Sequence, residues 1–113
     1  MARLVISDDA VTLKLSGAEK IEALHGDVTV PRSAIVAVRA VPDGMAELHG
    51  MRVGTGIPGV LVVGKLLDQG FRAFAVCRAG RPAVVIDLAG QDYDRLVVTL
   101  DDAASVAASV SAA

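Results

Sequence analysis

The sequence predicts a small α+β protein that is mostly β, and three features of the chain support this class. Short segments alternate apolar and polar residues, as around Val11, Leu13 and Leu15, which is typical of half-buried strands. Turn signals such as residues 68–70 separate successive apolar segments. Helical patterns are few: one segment near residue 20, one turn at residues 43–48 and the end of the chain.

The composition predicts one soluble domain, residues 1–113, and excludes several classes of function. Of the 113 residues, 53% are hydrophobic and only 3% are aromatic, which predicts an aliphatic core. The net charge of −2 provides no basic surplus for phosphates, so we expect no nucleic-acid binding. The single cysteine and the absence of an apolar run long enough for a signal peptide or a membrane span lead us to expect a cytoplasmic protein.

The first half of the chain predicts two hairpin strands, a helix, two further strands and a helical turn. Ser16 and Glu19 have the S-x-x-E spacing of a capping box, so we expect a helix to begin there. Its apolar face would contain Ala18, Ile21 and Leu24. The strands are expected at residues 3–7, 11–15, 27–31 and 34–41, and the helical turn at residues 43–48.

The second half predicts a β meander that ends in a helix. Strands are expected at residues 59–67, 71–78, 82–88 and 95–100, joined by short turns and one polar loop. Asp101 or Asp102 can cap a terminal helix in which Val106 and Val110 lie one turn apart. Small residues dominate that helix, so the apolar face that it offers is shallow.

Residues 54–59, with the sequence GTGIPG, satisfy the G-x-G-x-x-G pattern of dinucleotide-binding loops. That mechanism needs a strand before the glycines, a helix after them and an acidic residue about 20 positions later. Here a β-rich segment follows, and the next acids, Asp68 and Asp87, lie nine and 28 residues beyond Gly59. We therefore interpret the segment as a tight glycine loop that enters a strand, with a loop for an unidentified ligand as the alternative.

Several polar residues could carry chemistry, and each also has a structural interpretation. His25 and His49 lie at predicted helix ends and lack the spacing of a metal site, so we predict no metal and no cofactor. Cys77, on a predicted strand, is expected to be a buried thiol without a nucleophilic role. Asp92 and Asp94 are expected in a solvated turn.

Three arginines, Arg72, Arg78 and Arg81, surround one predicted hairpin. They predict either a cationic edge that binds a carboxylate or an acidic partner, or charged strand ends in water. Phe74 and Val76 lie on the opposite face of their strand from its other apolar residues. We therefore expect both side chains to meet a partner or a second copy of the chain.

Four segments of the second half read as strands: GIPGVLVVG, FRAFAVCR, RPAVVIDL and YDRLVVTLDDA. The first is led by glycine, and the last runs straight into the terminal helix. Together with EKIEALHGDVTVPRSAIVAV in the first half, they resemble small bacterial pleckstrin-homology-like (PH-like) domains. The resemblance implies a bent antiparallel β-barrel or sandwich of about seven strands, with one inserted helix and a C-terminal capping helix. The first hairpin loop, residues 7–10, is acidic where phosphoinositide-binding relatives are basic, so we expect no membrane lipid as a ligand.

Such domains act as binding or assembly modules, so the resemblance implies a non-catalytic module for protein–protein association, including self-association. The alternative is a small-molecule-binding protein or enzyme that uses residues 52–59 with His25 or His49, although no particular small molecule is indicated. The residues that we predict for partner or ligand binding are Arg52, Gly54, Thr55, Gly56, Pro58, Gly59, His49, Arg72, Phe74 and Arg78.

Overall fold

The computed structural model of the protein describes residues 2–23 and 25–111, which form nine strands in two sheets and two α-helices. The small sheet contains, in this order, β1 (Arg3–Ile6), β2 (Ala10–Lys14) and β3 (Val28–Pro31). The large sheet contains β4 (Ile35–Val41), β5 (Met51–Ile57), β6 (Leu61–Asp68), β7 (Phe71–Arg78), β8 (Ala83–Leu88) and β9 (Arg95–Thr99). Helix α1 (Gly17–Ala23) joins β2 to β3, helix α2 (Ala103–Ser111) follows β9, and short 3-10 helices lie at Arg32–Ala34 and Gly44–Glu47.

The strands of the large sheet lie in the order β4-β8-β9-β7-β6-β5, so β4 and β5 are its edges. The mostly β, α+β class expected from the sequence is confirmed. The expectation left a barrel and a sandwich open, and the described strands form two sheets and no closed barrel. The expected antiparallel arrangement is wrong at one pair, because β7 and β9 run parallel. The reason is that β8 does not pair with β7 as a hairpin would. It lies one place further away, and β9 fills the gap between them.

One face of the large sheet packs against the small sheet and α2. Phe74, Ile86 and Leu96 of the large sheet are fully buried there together with Val11 and Leu13 of β2. Helix α2 adds the small buried residues Ala103, Ala107 and Val110, which confirms the shallow terminal helix. This first core is aliphatic apart from its few rings, as the composition predicts.

The other face of the large sheet is covered by the segment that connects its two edges, residues 42–50. Met45 and Leu48 of this segment pack against a second core formed by Val62, Leu66, Ala73, Ala75, Cys77, Ala83, Val85 and Val97. Gly44 lies so close to the sheet that a Cβ atom there would be 2.7 Å from the Cβ of Ala83. The Asp43 carboxylate accepts a hydrogen bond from the Met45 amide (3.0 Å), which begins the predicted helical turn.

Burial on both faces explains the continuous apolar runs in the central strands. It also corrects the expectation that Phe74 and Val76 meet a partner, because Phe74 is fully buried and Val76 is only 6% exposed. Side chains alternate between the two faces of β7. The small sheet covers the face that carries Phe74 and Val76, for which the sequence indicated no partner within the chain.

Helix α1 begins with the predicted capping box. The Ser16 amide donates to Glu19 Oε1 (2.8 Å), and the Glu19 amide donates to Ser16 Oγ (3.2 Å). The predicted apolar face is wrong where the structure describes it: Ala18 is exposed and Ile21 is 76% exposed, while Leu24 lies outside the described residues. The helix instead buries Ala23 and Glu19, whose Oε2 accepts a hydrogen bond from the Ala2 amide (3.1 Å).

Candidate functional site

The segment predicted as a glycine loop is an edge strand followed by a turn. Residues up to Ile57 pair with β6 along the full length of β5. Pro58 and Gly59 then form the turn, with Gly59 at a φ of 71° and the Val60 amide bonded to the Ile57 carbonyl (2.9 Å). Proline followed by a glycine of positive φ is typical of a type II turn. The segment therefore forms a paired strand and a turn and not the loop that the sequence predicts.

Gly54 and Gly64 lie opposite each other in the β5–β6 ladder. Their φ values are 132° and 146°, a conformation that side chains rarely adopt. A Cβ atom on Gly54 would collide with the carbonyl of Val63, and one on Gly64 would collide with the carbonyl of Val53. Gly54 thus serves the close approach of two strands, whereas Gly59 serves the turn.

Strand β5 exposes a row of apolar side chains at the free edge of the large sheet. Met51, Val53 and Ile57 are 64%, 39% and 49% exposed, and we call them the β5 apolar row. Their cross-strand neighbours in β6 place them on one face of the sheet, the face on which α1 lies. The only charge on β5 is Arg52, whose guanidinium lies over Gly56 on the other face.

Helix α1 holds β5 in place. The hydroxyl of Thr55 donates a hydrogen bond to the carbonyl of Glu22 near the end of the helix (2.8 Å). Two contacts therefore anchor the edge strand: the β6 ladder pairs with one of its edges, and α1 binds one of its faces. Its other edge is free. An anchored strand needs little ordering when a partner pairs with it.

The remaining residues predicted for partner or ligand binding lie outside β5. Arg72 and Arg78 are exposed at opposite ends of β7, about 20 Å apart at the rise of a strand, so the predicted arginine cluster is wrong. His49 is exposed just before β5 and lines a cavity of about 210 Å³ with Phe71 and Arg95. Phe74 lies in the first core.

A second candidate site, which the sequence did not reveal, is built around His25 and Tyr93. The Nδ1 of His25 lies 2.7 Å from the Gly26 carbonyl and donates a hydrogen bond to it. The Nε2 then accepts a hydrogen bond from the Tyr93 hydroxyl (2.9 Å). Both rings pack on Phe74, with centroids 4.8 and 5.4 Å away. The pair was hidden because His25 and Tyr93 are 68 positions apart in the sequence and no local pattern links them.

Two cavities adjoin this pair, and we call them together the Tyr93 cleft. One, of about 210 Å³, is lined by His25, Asp27, Val28, Thr29, Val30, Gln91, Asp92 and Tyr93. The other, of about 310 Å³, is lined by His25, Lys65, Leu67, Arg72, Asp92 and Tyr93. Burial and the nearby Asp92 carboxylate raise the pKa of Tyr93, which is 8% exposed, while Arg72 partly opposes them. The Tyr93 hydroxyl is therefore a neutral hydrogen-bonding group at ordinary pH.

Cys77 is fully buried in the second core, as the sequence predicts. Burial raises the pKa of its thiol to about 12, and a hydrogen bond from Thr99 only partly offsets this. A thiol so rarely ionised is a poor nucleophile. In residues 2–23 and 25–111, no group of three or more His, Cys, Asp or Glu side chains is placed to hold a metal ion.

None of the helices in the described part of the chain is long and apolar enough to cross a membrane. No protein-family model matches the chain, and no curated protein or solved structure shows significant similarity to it.

Proposed function

We propose that the protein is a non-catalytic cytoplasmic association module that pairs with a second copy of itself through β5. The observation that carries the proposal is an anchored, seven-residue edge strand whose outward face is apolar and nearly free of charge. Edge strands of this kind present unpaired backbone N–H and C=O groups, and proteins that must stay monomeric protect them with charges, prolines or a covering element. Met51–Ile57 contains no proline and one arginine.

The sequence of β5 complements itself in one antiparallel register. If Gly54 lies opposite Gly54 of the second copy, Met51 faces Ile57 and Val53 faces Thr55. Apolar cross-strand pairs of this kind contribute roughly 0.2–1 kcal/mol each. The resulting contact is two-fold symmetric, so each pair occurs twice, and it joins two six-stranded sheets edge to edge.

Charge selects this register. With Gly54 at the centre, the Arg52 guanidinium of one copy lies opposite Gly56, which has no side chain to displace it. In the register centred on Arg52, two guanidinium groups would face each other, which is destabilising. The centred register also aligns all seven residues of β5, so it forms the longest ladder.

We also propose a distant relationship to PH-like domains. Two packed sheets and a C-terminal helix that covers part of the first core support it. The parallel pair β7–β9 is a departure from the antiparallel arrangement of that family. A PH-like module with an acidic first hairpin loop would associate with protein rather than with anionic lipid.

Sedimentation equilibrium over a range of concentrations tests the proposed function. We expect the wild-type chain of 11.6 kDa to sediment at twice that mass at high concentration. Val53→Lys places a charge on the free edge and should return the protein to monomer. Val36→Lys is the matched control, because Val36 is an exposed valine (69%) on the opposite edge strand, β4. A wild-type monomer at every concentration, or equal loss with both variants, would contradict the proposal.

A further inference from the structure

We propose that the larger cavity of the Tyr93 cleft binds a small anion that carries a carboxylate or phosphate group. No residue of β5 lines this cavity, although two of its lining residues, Lys65 and Leu67, lie opposite Val53 and Met51 of β5. Its wall contains two cationic side chains, Lys65 and Arg72, against one carboxylate, Asp92. Leu67 and the ring of Tyr93 supply the apolar part of the lining.

The register of the sheet brings the two cations together. Lys65 of β6 lies opposite Phe74 of β7, and Arg72 lies two residues before Phe74 on the same face. Lys65 and Arg72 are therefore diagonal neighbours on adjacent strands, roughly 7–8 Å apart at their backbones. Long cationic side chains at that spacing can both reach one anion.

Neither cation is neutralised in the described part of the chain. The ion pairs there involve other cations: Lys20 with Asp27, Arg39 with Glu47, Arg81 with Asp101, and Arg95 with Asp87. Asp94, which lies close to Arg72, accepts from the backbone amide of Arg72 (2.8 Å) and not from its guanidinium. The guanidinium itself makes one long contact, 3.4 Å from Nη2 to the Gln91 carbonyl. A guanidinium has five N–H donors, so most of its capacity is free for a ligand.

The size and shape of the cleft restrict the ligand. A cavity of about 310 Å³ is at the lower end of the range for small-molecule sites. It suits a phosphate or a short carboxylate, or the terminal group of a larger molecule. A planar carboxylate matches the guanidinium fork with two parallel hydrogen bonds, and a phosphate offers the same pair of oxygens.

Tyr93 is the only tyrosine and the chain has no tryptophan, so its fluorescence reports on this cleft alone. Inorganic phosphate and acetate should be titrated separately at fixed pH, with ionic strength held constant by chloride because salt screens charges. Backbone amide shifts in NMR spectra provide a second readout that does not depend on the phenol. We expect a saturable change with at least one anion, centred on Lys65, Leu67 and Tyr93. The anion that saturates at the lower concentration identifies the preferred class.

Arg72→Gln should weaken that binding about tenfold, the effect of losing one charge-assisted hydrogen bond. Arg78→Gln, at the other end of the same strand, is the matched control and should leave binding unchanged. Both variants should keep the sedimentation behaviour of the wild type, which separates this test from that of β5. Circular dichroism checks folding, and Arg72→Lys retains the charge if Arg72→Gln does not fold. No saturable change with either anion, or equal weakening by both glutamine variants, would overturn the proposal.

Discussion

Gly54 of β5 lies directly opposite Gly64 of β6, at positions where neither strand can accommodate a Cβ atom. The pair explains a sequence pattern that otherwise suggests a nucleotide loop. Because the two backbones approach closely, β5 remains a continuous strand paired with β6 through Gly54. The strand order leaves its other side as the free edge of the large sheet. The proposed association depends on that continuity.

The close approach of the glycine pair predicts a large loss of stability on substitution. Gly64→Ala places a methyl group against the Val53 carbonyl at a φ of 146°. We expect the free energy of unfolding to fall by about 1–3 kcal/mol. Urea denaturation measures it, with Gly17→Ala as the control, because a Cβ atom at Gly17 meets nothing within 4 Å. An unchanged free energy of unfolding in Gly64→Ala would contradict this, because it would show that β5 and β6 can move apart to accommodate the methyl group.

Arg32 is predicted to hold helix α2 against the first hairpin. Its guanidinium donates to the carbonyls of Ser7 (2.8 Å), Ser109 (3.1 Å) and Val110 (2.9 Å). Arg32→Met keeps the apolar stem and removes all three hydrogen bonds, so the free energy of unfolding should fall by ~2 kcal/mol. Hydrogen exchange should show lost protection in α2 first. Arg81→Met, at an exposed arginine whose nearest carboxylate is 4.0 Å away, should change little.

Cys77 should resist thiol reagents in the folded protein. With its pKa raised from 9.0 to about 12, the thiolate fraction near neutral pH falls about a thousandfold, and burial blocks access as well. Reaction with a disulfide reagent, followed by absorbance, should be slow in native buffer and rapid in denaturant. Rapid native labelling would place Cys77 on an accessible surface.

Tyr93 should make the protein less stable in alkali. The pKa of Tyr93 in the folded protein lies above the ordinary 10.0, so as the pH rises the phenol ionises first in the unfolded chain. The contribution of the neutral phenol to the free energy of unfolding is therefore complete below pH 10 and is lost as the pH rises through the folded-state pKa. Absorbance of the single phenol gives its pKa directly. Tyr93→Phe should cost about 1 kcal/mol at neutral pH through the lost bond to His25 and should show a smaller alkaline loss. An alkaline loss of the same size in Tyr93→Phe would contradict this assignment.

Local patterns in the sequence predicted the elements that depend on neighbouring residues. The Ser16–Glu19 capping box, the turn begun by Asp43 and the aspartate-led terminal helix all involve groups a few residues apart. The fold class followed from the same local periodicities.

What the sequence could not predict depends on contacts between distant segments. The insertion of β9 between β7 and β8 gives the large sheet its parallel pair, and no pattern within β5 marks this strand as an edge. Phe74 is buried because the small sheet covers its face, and His25 and Tyr93, 68 positions apart in the sequence, meet only in the folded chain. Both candidate sites therefore depend on how distant segments of the chain are arranged in the fold.

Disulfide trapping between copies tests the central claim most directly, namely that β5 pairs with itself around Gly54. Met51 and Ile57 lie opposite each other in that register, whereas Met51 of one copy lies about 20 Å from Met51 of the other at the rise of a strand. Mixing Met51→Cys with Ile57→Cys under mild oxidation should give a cross-linked dimer, and each variant alone should give little. Cys77 is buried and does not compete. Cross-linking of Met51→Cys alone as efficient as in the mixture, or none in either, would contradict the account.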